Sequence, residues 1–301
     1  MNSKIIKIGA VAIVIILVAA GVVLFAGNTD DSKIEKVGTV LDNGAKSGLV
    51  VPSYVVTELN ITSISELEEY ASEFNNQIIG IDAGAGIMAL TETAIENYDL
   101  DSFTLVTSSE ATMLAALISA YDSHEVIVVT LWDPHWVGGE YDLVYLEDPD
   151  YVYGTTESIE SWSRPGLSSE DSVIAEIMSN YEYALPEFNS LLSYIADSDK
   201  DIAVAAGEWV EAHPDLLNSW IGDIEYQEGR GTITIGLVDW ACAMGSSNAL
   251  KYVLETYVGY DVTLMSLNVG VMYEGLSNGE IDLITTAWLP LTHAQYIDTY
   301  A

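Results

Sequence analysis

The sequence predicts an α/β protein of two lobes that hinge against each other, preceded by one N-terminal transmembrane or signal helix. Three observations predict it. Strand and helix periodicities alternate over residues 77–131 and resume from residue 232, the pattern of parallel sheets with crossover helices. Half of the composition is hydrophobic, and the roughly 270 residues after the first apolar segment are enough for two lobes of ordinary domain size. Two extended stretches, residues 47–54 and 141–149, stand where the chain would cross into one lobe and out of it.

The elements follow in order. Lys4 and Lys7 precede an uncharged run over residues 8–27, rich in Val, Ile, Ala and Leu. About 20 such residues span a bilayer, whereas the apolar region of a cleaved signal is shorter; a retained anchor is therefore preferred to a cleaved signal. The two lysines place the rest of the chain outside the cell. Residues 28–36 read as a tether. Ser63 and Glu66 form a capping box, and Ile64, Leu67, Ala71 and Phe74 continue at helical spacing. Strands are expected at 77–82, 104–106 and 126–131, with helices at 88–98 and 111–121. Mainly helical stretches follow at 170–181, 187–196 and 201–212. A second sheet-bearing unit has strands at 232–238, 262–267 and 281–285. The expected division is 1–29 as anchor or signal, 30–54 as tether and part of lobe 1, 55–142 as lobe 2, and 143–301 as lobe 1.

Charge and composition narrow the function. Residues 30–301 carry all 46 acidic side chains and seven of the nine basic ones, a formal charge of −39. Such a surface repels nucleic acid and anionic headgroups and stays soluble in high salt. Cys242 is the single cysteine, so no intramolecular disulfide forms. His124, His135, His213 and His293 are scattered without a paired spacing, which leaves no zinc set and no cofactor to expect. An enzyme needs a nucleophile beside a base or a carboxylate pair in a pocket, and abundance of acids alone does not supply one.

The chemistry-bearing residues lie at strand ends. Trp132, Trp240 and Trp288 each end a short apolar run and open a turn. Ligands of open α/β sheets sit beyond the carboxyl ends of the strands, and several indoles meeting there suit a quaternary ammonium, which has no N–H to donate. The competing explanation is that large aromatics at strand ends are core. Gly84-Ala-Gly86-Ile87 follows a strand and opens a helix, so its amides could hold an anion; a tight turn needing positive φ is the structural alternative. The spacing lacks both the dinucleotide and the phosphate-loop patterns, and a carboxylate fits better. His293, five residues after Trp288, could donate to that carboxylate or face solvent at a helix start, while His135 reads as an organiser of its turn.

Four runs carry a resemblance: Ile78-Ile-Gly-Ile-Asp-Ala-Gly-Ala-Gly-Ile-Met88, Val128-Val-Thr-Leu-Trp-Asp-Pro-His-Trp136, Tyr141-Asp-Leu-Val-Tyr-Leu-Glu-Asp-Pro149 and Ala287-Trp-Leu-Pro-Leu-Thr-His293. Together with Ile235-Gly-Leu-Val-Asp-Trp240 and Gly48-Leu-Val-Val-Pro-Ser-Tyr54, they resemble the substrate-binding proteins of glycine betaine ABC transporters over about residues 37–300. The resemblance implies a type II periplasmic-binding-protein clamshell. It makes Trp132, Trp240 and Trp288 the walls around a trimethylammonium group, and Gly86, Ile87 and His293 the holders of its carboxylate. It also implies a circular permutation, because in many relatives the stretch equivalent to 232–300 precedes the stretch equivalent to 33–54. Ala83 stands where relatives often have Pro, and residues 241–247 are unusually small and neutral.

The expected function is a membrane-anchored extracellular receptor that captures glycine betaine, or a related zwitterion, for an ABC permease and catalyses nothing. Rivals are a choline or carnitine receptor, a surface hydrolase in the same cleft and a sensory domain.

Overall fold

A computed structural model describes residues 33–301. The helix expected over residues 8–27 lies outside the described residues. Among those described, no helix is long and apolar enough to cross a membrane.

Among the described residues, nine strands form one curled sheet in the order β3-β2-β4-β1-β6-β9-β7-β8, with β5 also paired to β1. They are β1 (Glu35–Pro52), β2 (Gln77–Ile79), β3 (Thr104–Val106), β4 (Val129–Asp133), β5 (Leu143–Tyr145), β6 (Glu157–Ser163), β7 (Gly231–Leu237), β8 (Tyr260–Ser266) and β9 (Leu283–Leu289). The long β1 divides the sheet into two lobes. Its first part, from Glu35 to Ala45, pairs antiparallel with β6. Its second part, from Lys46 to Pro52, pairs antiparallel with β4 and β5. The smaller lobe thus holds β2–β5 and the larger one β6–β9, and β1 runs through both.

Helices cover the sheet faces: α1 (Ser53–Leu59), α2 (Gly86–Asn97), α3 (Glu110–Ser123) and α4 (Val137–Glu140) in the smaller lobe. In the larger lobe lie α5 (Leu167–Glu170), α6 (Ser172–Asn180), α7 (Leu185–Ala196), α8 (Ile202–Glu211), α9 (Pro214–Ile221), α10 (Ala241–Val253), α11 (Val269–Asn278) and α12 (Ala294–Tyr300). Parallel pairs β2–β3, β2–β4, β7–β8 and β7–β9 carry the crossover helices, as the alternating periodicities require. The larger lobe buries an aromatic cluster under α10, in which Tyr181, Tyr183, Phe188, Trp209 and Trp220 are all at most 2% exposed.

Several expectations change. The stretch read as tether to residue 36 is already folded: Ile34 is buried, and Glu35 and Lys36 begin β1. The Ser63–Glu66 capping box forms, but it opens a 3-10 helix, Ile64–Tyr70, and not an α-helix. Soon after its end Asn75 and Asn76 take positive φ, so the chain reverses into β2 before an α-helix can extend. β6 lies ahead of the helical stretches, over Glu157–Ser163, where no strand is expected. Its inward positions include Glu157, Ser161 and Ser163, all buried, so no apolar alternation marks it. The return from the smaller lobe lies later than residues 141–149, because β5 still pairs with β1 and Leu146 N–H still donates to Leu49 O.

Candidate ligand-binding site

The carboxyl ends of β4, β7 and β9 converge where the lobes face each other. A partly open cavity lies there. Trp132, in β4, Trp240, just before α10, and Trp288, in β9, line it together with Gly86, Ile87 and His293. All six residues singled out from the sequence therefore reach one wall system, contributed by both lobes. The three indoles are 4–6% exposed. Trp132 and Trp240 stand 6.3 Å apart between ring centroids at 59°, and the His293 ring lies 6.1 Å from that of Trp240.

The apolar end of the cavity follows from the strand ends. Trp132 and Trp288 are carried by strands whose preceding residues are buried, and Trp240 follows the buried end of β7 by three residues, so each backbone is fixed before its side chain enters the cleft. Ser47, paired in register with Trp132, and Ile81 complete this surface. Cys242 lies one helical step beyond Trp240. Burial, reinforced by the charge of Glu110, pushes its thiol up to about 12, so it stays a neutral small wall and not a thiolate. The aromatic faces offer the negative quadrupole that attracts a desolvated cation.

The polar end is made by a helix start and an imidazole. Gly86 and Ile87 are the first two residues of α2, where N–H groups have no partner within the helix. Positive φ does not explain the glycine, since Gly86 is absent from the residues with that conformation. Close approach does: a Cβ there would lie 1.8 Å from Thr292 O of the other lobe.

His293 is fully buried, and burial drives its pKa from 6.5 down to about 3, so the ring is neutral at ordinary pH. Its Nδ1 accepts from Trp288 N–H (3.2 Å) and stands 3.2 Å from the Tyr273 hydroxyl, which puts the ring proton on Nε2. That Nε2–H is buried without a hydrogen-bond partner. An unpaired buried donor costs about 1–3 kcal/mol, which an acceptor brought by a ligand would recover.

Glu157, on β6, shapes the loop that carries His293. Its carboxylate accepts the N–H groups of Leu291 and Thr292, each at 2.9 Å, and the Thr292 hydroxyl, and Thr292 lines the cavity. Sequence reasoning missed Glu157, Thr292, Ser47 and Cys242. The last three neighbour or face a residue already chosen, whereas nothing local marks Glu157. His135 has the expected turn role: its Nδ1 accepts from Val137 N–H at 3.1 Å.

Comparison with known proteins gives a consistent picture. The family model for the substrate-binding domain of ABC-type glycine betaine transport systems matches residues 26–212 and 231–301. A glycine betaine/carnitine transport binding protein of Listeria monocytogenes is 32% identical over 235 residues, 77% of each chain. The glycine betaine/L-proline-binding protein of Borrelia burgdorferi aligns at a TM-score of 0.59 with 35% identity, covering 64% of this chain and 71% of that one. A lactococcal protein in a closed, glycine betaine-bound conformation aligns at 0.57 with 34% identity, covering 62% and 71%. A choline-bound ABC-transporter choline binding protein aligns at 0.58 with 28% identity, covering 64% and 67%.

Proposed function

From a chain that belongs to the family of substrate-binding domains of ABC-type glycine betaine transport systems, we infer a receptor whose two lobes close on glycine betaine. It is a transport protein and not an enzyme. The trimethylammonium group lies among Trp132, Trp240 and Trp288, and the carboxylate takes hydrogen bonds from the Gly86 and Ile87 amides and from His293 Nε2–H. The observation that carries this reading is the pairing, in one cleft, of three indole faces with donors but no cationic side chain. A neutral His293 donates without repelling the ligand's cation. Choline, lacking a carboxylate, gives the donors only a hydroxyl, so a betaine is favoured over it.

The receptor delivers its ligand to an ABC permease from the extracellular face of the membrane, held there by the apolar run of residues 8–27. The apolar length of that run supports an anchor, and a mature protein that starts near Asn28 and stays soluble would contradict it. A circularly permuted arrangement belongs to the same reading. Its support is that Ile34 N–H donates to Tyr300 O at 3.1 Å and Lys33 Nζ to Ala301 O at 2.8 Å, so the two ends of the domain could be joined by a short link. Calorimetric titration with glycine betaine, proline betaine, carnitine and choline tests the assignment. The betaines should bind most tightly, and choline binding as tightly as glycine betaine would overturn the carboxylate half of the site.

A further inference from the structure

We propose that Glu110 is a positioning residue that fastens the two lobes over the ligand, an inference that rests on the cleft being a betaine site. Glu110 begins α3 in the smaller lobe and is only 6% exposed. Its carboxylate accepts the Nε2–H of His135 at 3.1 Å, within the same lobe. It also accepts the N–H of Ala241, at 3.0 and 3.2 Å to its two oxygens, from the larger lobe. Ala241 is the first residue of α10, and the preceding Trp240 provides no side-chain cap. One lobe therefore supplies the carboxylate cap that a helix of the other lobe lacks, where free N–H groups and the helix dipole favour an anion.

The placement ties closure to the ligand. Trp240 and Cys242, on either side of Ala241, both line the cavity, so the bond to Glu110 sets the position of that wall. The His135 turn bridges the lobes a second time. His135 N–H donates to Asn189 Oδ1 at 3.1 Å, and Asn189 Nδ2 donates to Asp133 Oδ1 at 3.0 Å, with Asn189 on α7 of the larger lobe. Rotation about β1 that opens the cleft separates Glu110 from Ala241 and returns the carboxylate to water. Closure restores the bond in a dry setting, where hydrogen bonds to charged groups are strong.

Two substitutions probe the bond from opposite sides. Glu110→Gln removes the charge. Ala241→Pro removes the N–H at a position where a helix tolerates proline, and Trp240, at φ −109° and ψ 144°, already has the extended backbone that a following proline requires. Glycine betaine is titrated into the wild type, both single variants and the double variant, with release rates from tryptophan fluorescence. Melting curves and small-angle scattering are measured without ligand. Each single variant should weaken binding about 10-fold or more, chiefly through faster release, and the double variant should be little worse than either. Unliganded melting should stay within about 2 °C of wild type, because the bond forms only when the lobes are closed, while the radius of gyration shifts toward the open form. Unchanged affinity and radius overturn the proposal. Additive losses overturn it as well, since Ala241→Pro would then act through Trp240 alone. A melting temperature that falls in step with affinity makes Glu110 a fold residue instead. Wild-type protein that binds no betaine contradicts the site reading separately, and the scattering comparison still decides the clasp.

Discussion

Replacing His293 with alanine tests the polar half of the site. The side chain is fully buried, with Nδ1 fixed by Trp288 N–H and Nε2–H unpaired, and it lines the cavity. A hydrogen bond to a charged partner is worth about 1.5–3 kcal/mol, so loss of the donor should weaken glycine betaine by about 10-fold to 100-fold. The variant also strands the Trp288 amide, at a cost of about 1–3 kcal/mol, and its melting temperature should fall. The ratio of glycine betaine to choline affinity separates the two effects, because a loosened fold harms both ligands alike. Calorimetry on the wild type and His293→Ala with each ligand reads that ratio directly. It should collapse by at least 10-fold in the variant. Equal losses for both ligands would refute the argument and make His293 a support for the Trp288 loop.

Alanine at Trp132, Trp240 or Trp288 should weaken glycine betaine by about 30-fold or more, since a desolvated cation–π contact is worth about 2 kcal/mol. Tyr should restore more affinity than Leu, and lowered melting temperatures with affinity intact would mark the indoles as core only. Acid should destabilise the fold through His293. Its folded pKa of about 3 lies below the unfolded value near 6.5, so the unfolded state takes up a proton that the folded state refuses, and stability is lost as pH falls from about 6.5 toward 3. The slope is up to about 1.4 kcal/mol per pH unit, and denaturant melts at pH 7, 5 and 4 should show a shallower loss in His293→Gln than in wild type; parallel losses would contradict the burial argument. A chain with residues 301 and 33 joined by a short linker and new ends opened near the exposed Gln227 should fold and bind, and a linked chain that fails to fold would count against the permutation.

The parts legible in the sequence are those that depend on local periodicity. The succession β2-α2-β3-α3-β4 is apolar at the right spacings, and the tryptophans stand out because each meets a turn at a strand end. What was hidden depends on long-range pairing. β1 is interrupted by Gly38, Asp42, Asn43, Gly44 and Gly48, residues that read as turns, and only pairing with β6 on one part and β4 on the other makes it a continuous strand. β6 turns Glu157 inward onto the Leu291 and Thr292 amides and Ser161 inward with its hydroxyl unpaired, and hydropathy has no access to either. Glu157 and Glu110 were invisible for the same reason: their roles lie in backbone amides more than 130 positions away.

The central claim is that the cavity selects a cation by aromatic faces while holding a carboxylate, and a carbon isostere tests it most directly. 3,3-Dimethylbutanoate keeps the shape and carboxylate of glycine betaine but replaces the trimethylammonium with a neutral tert-butyl group. Calorimetric titration of the wild-type protein with both ligands isolates the charge. Three indoles acting on one desolvated cation, at about 2 kcal/mol for a single contact, should make glycine betaine at least about 30-fold tighter than the isostere. Equal affinity for the two would show that the tryptophans recognise volume alone and would contradict the account.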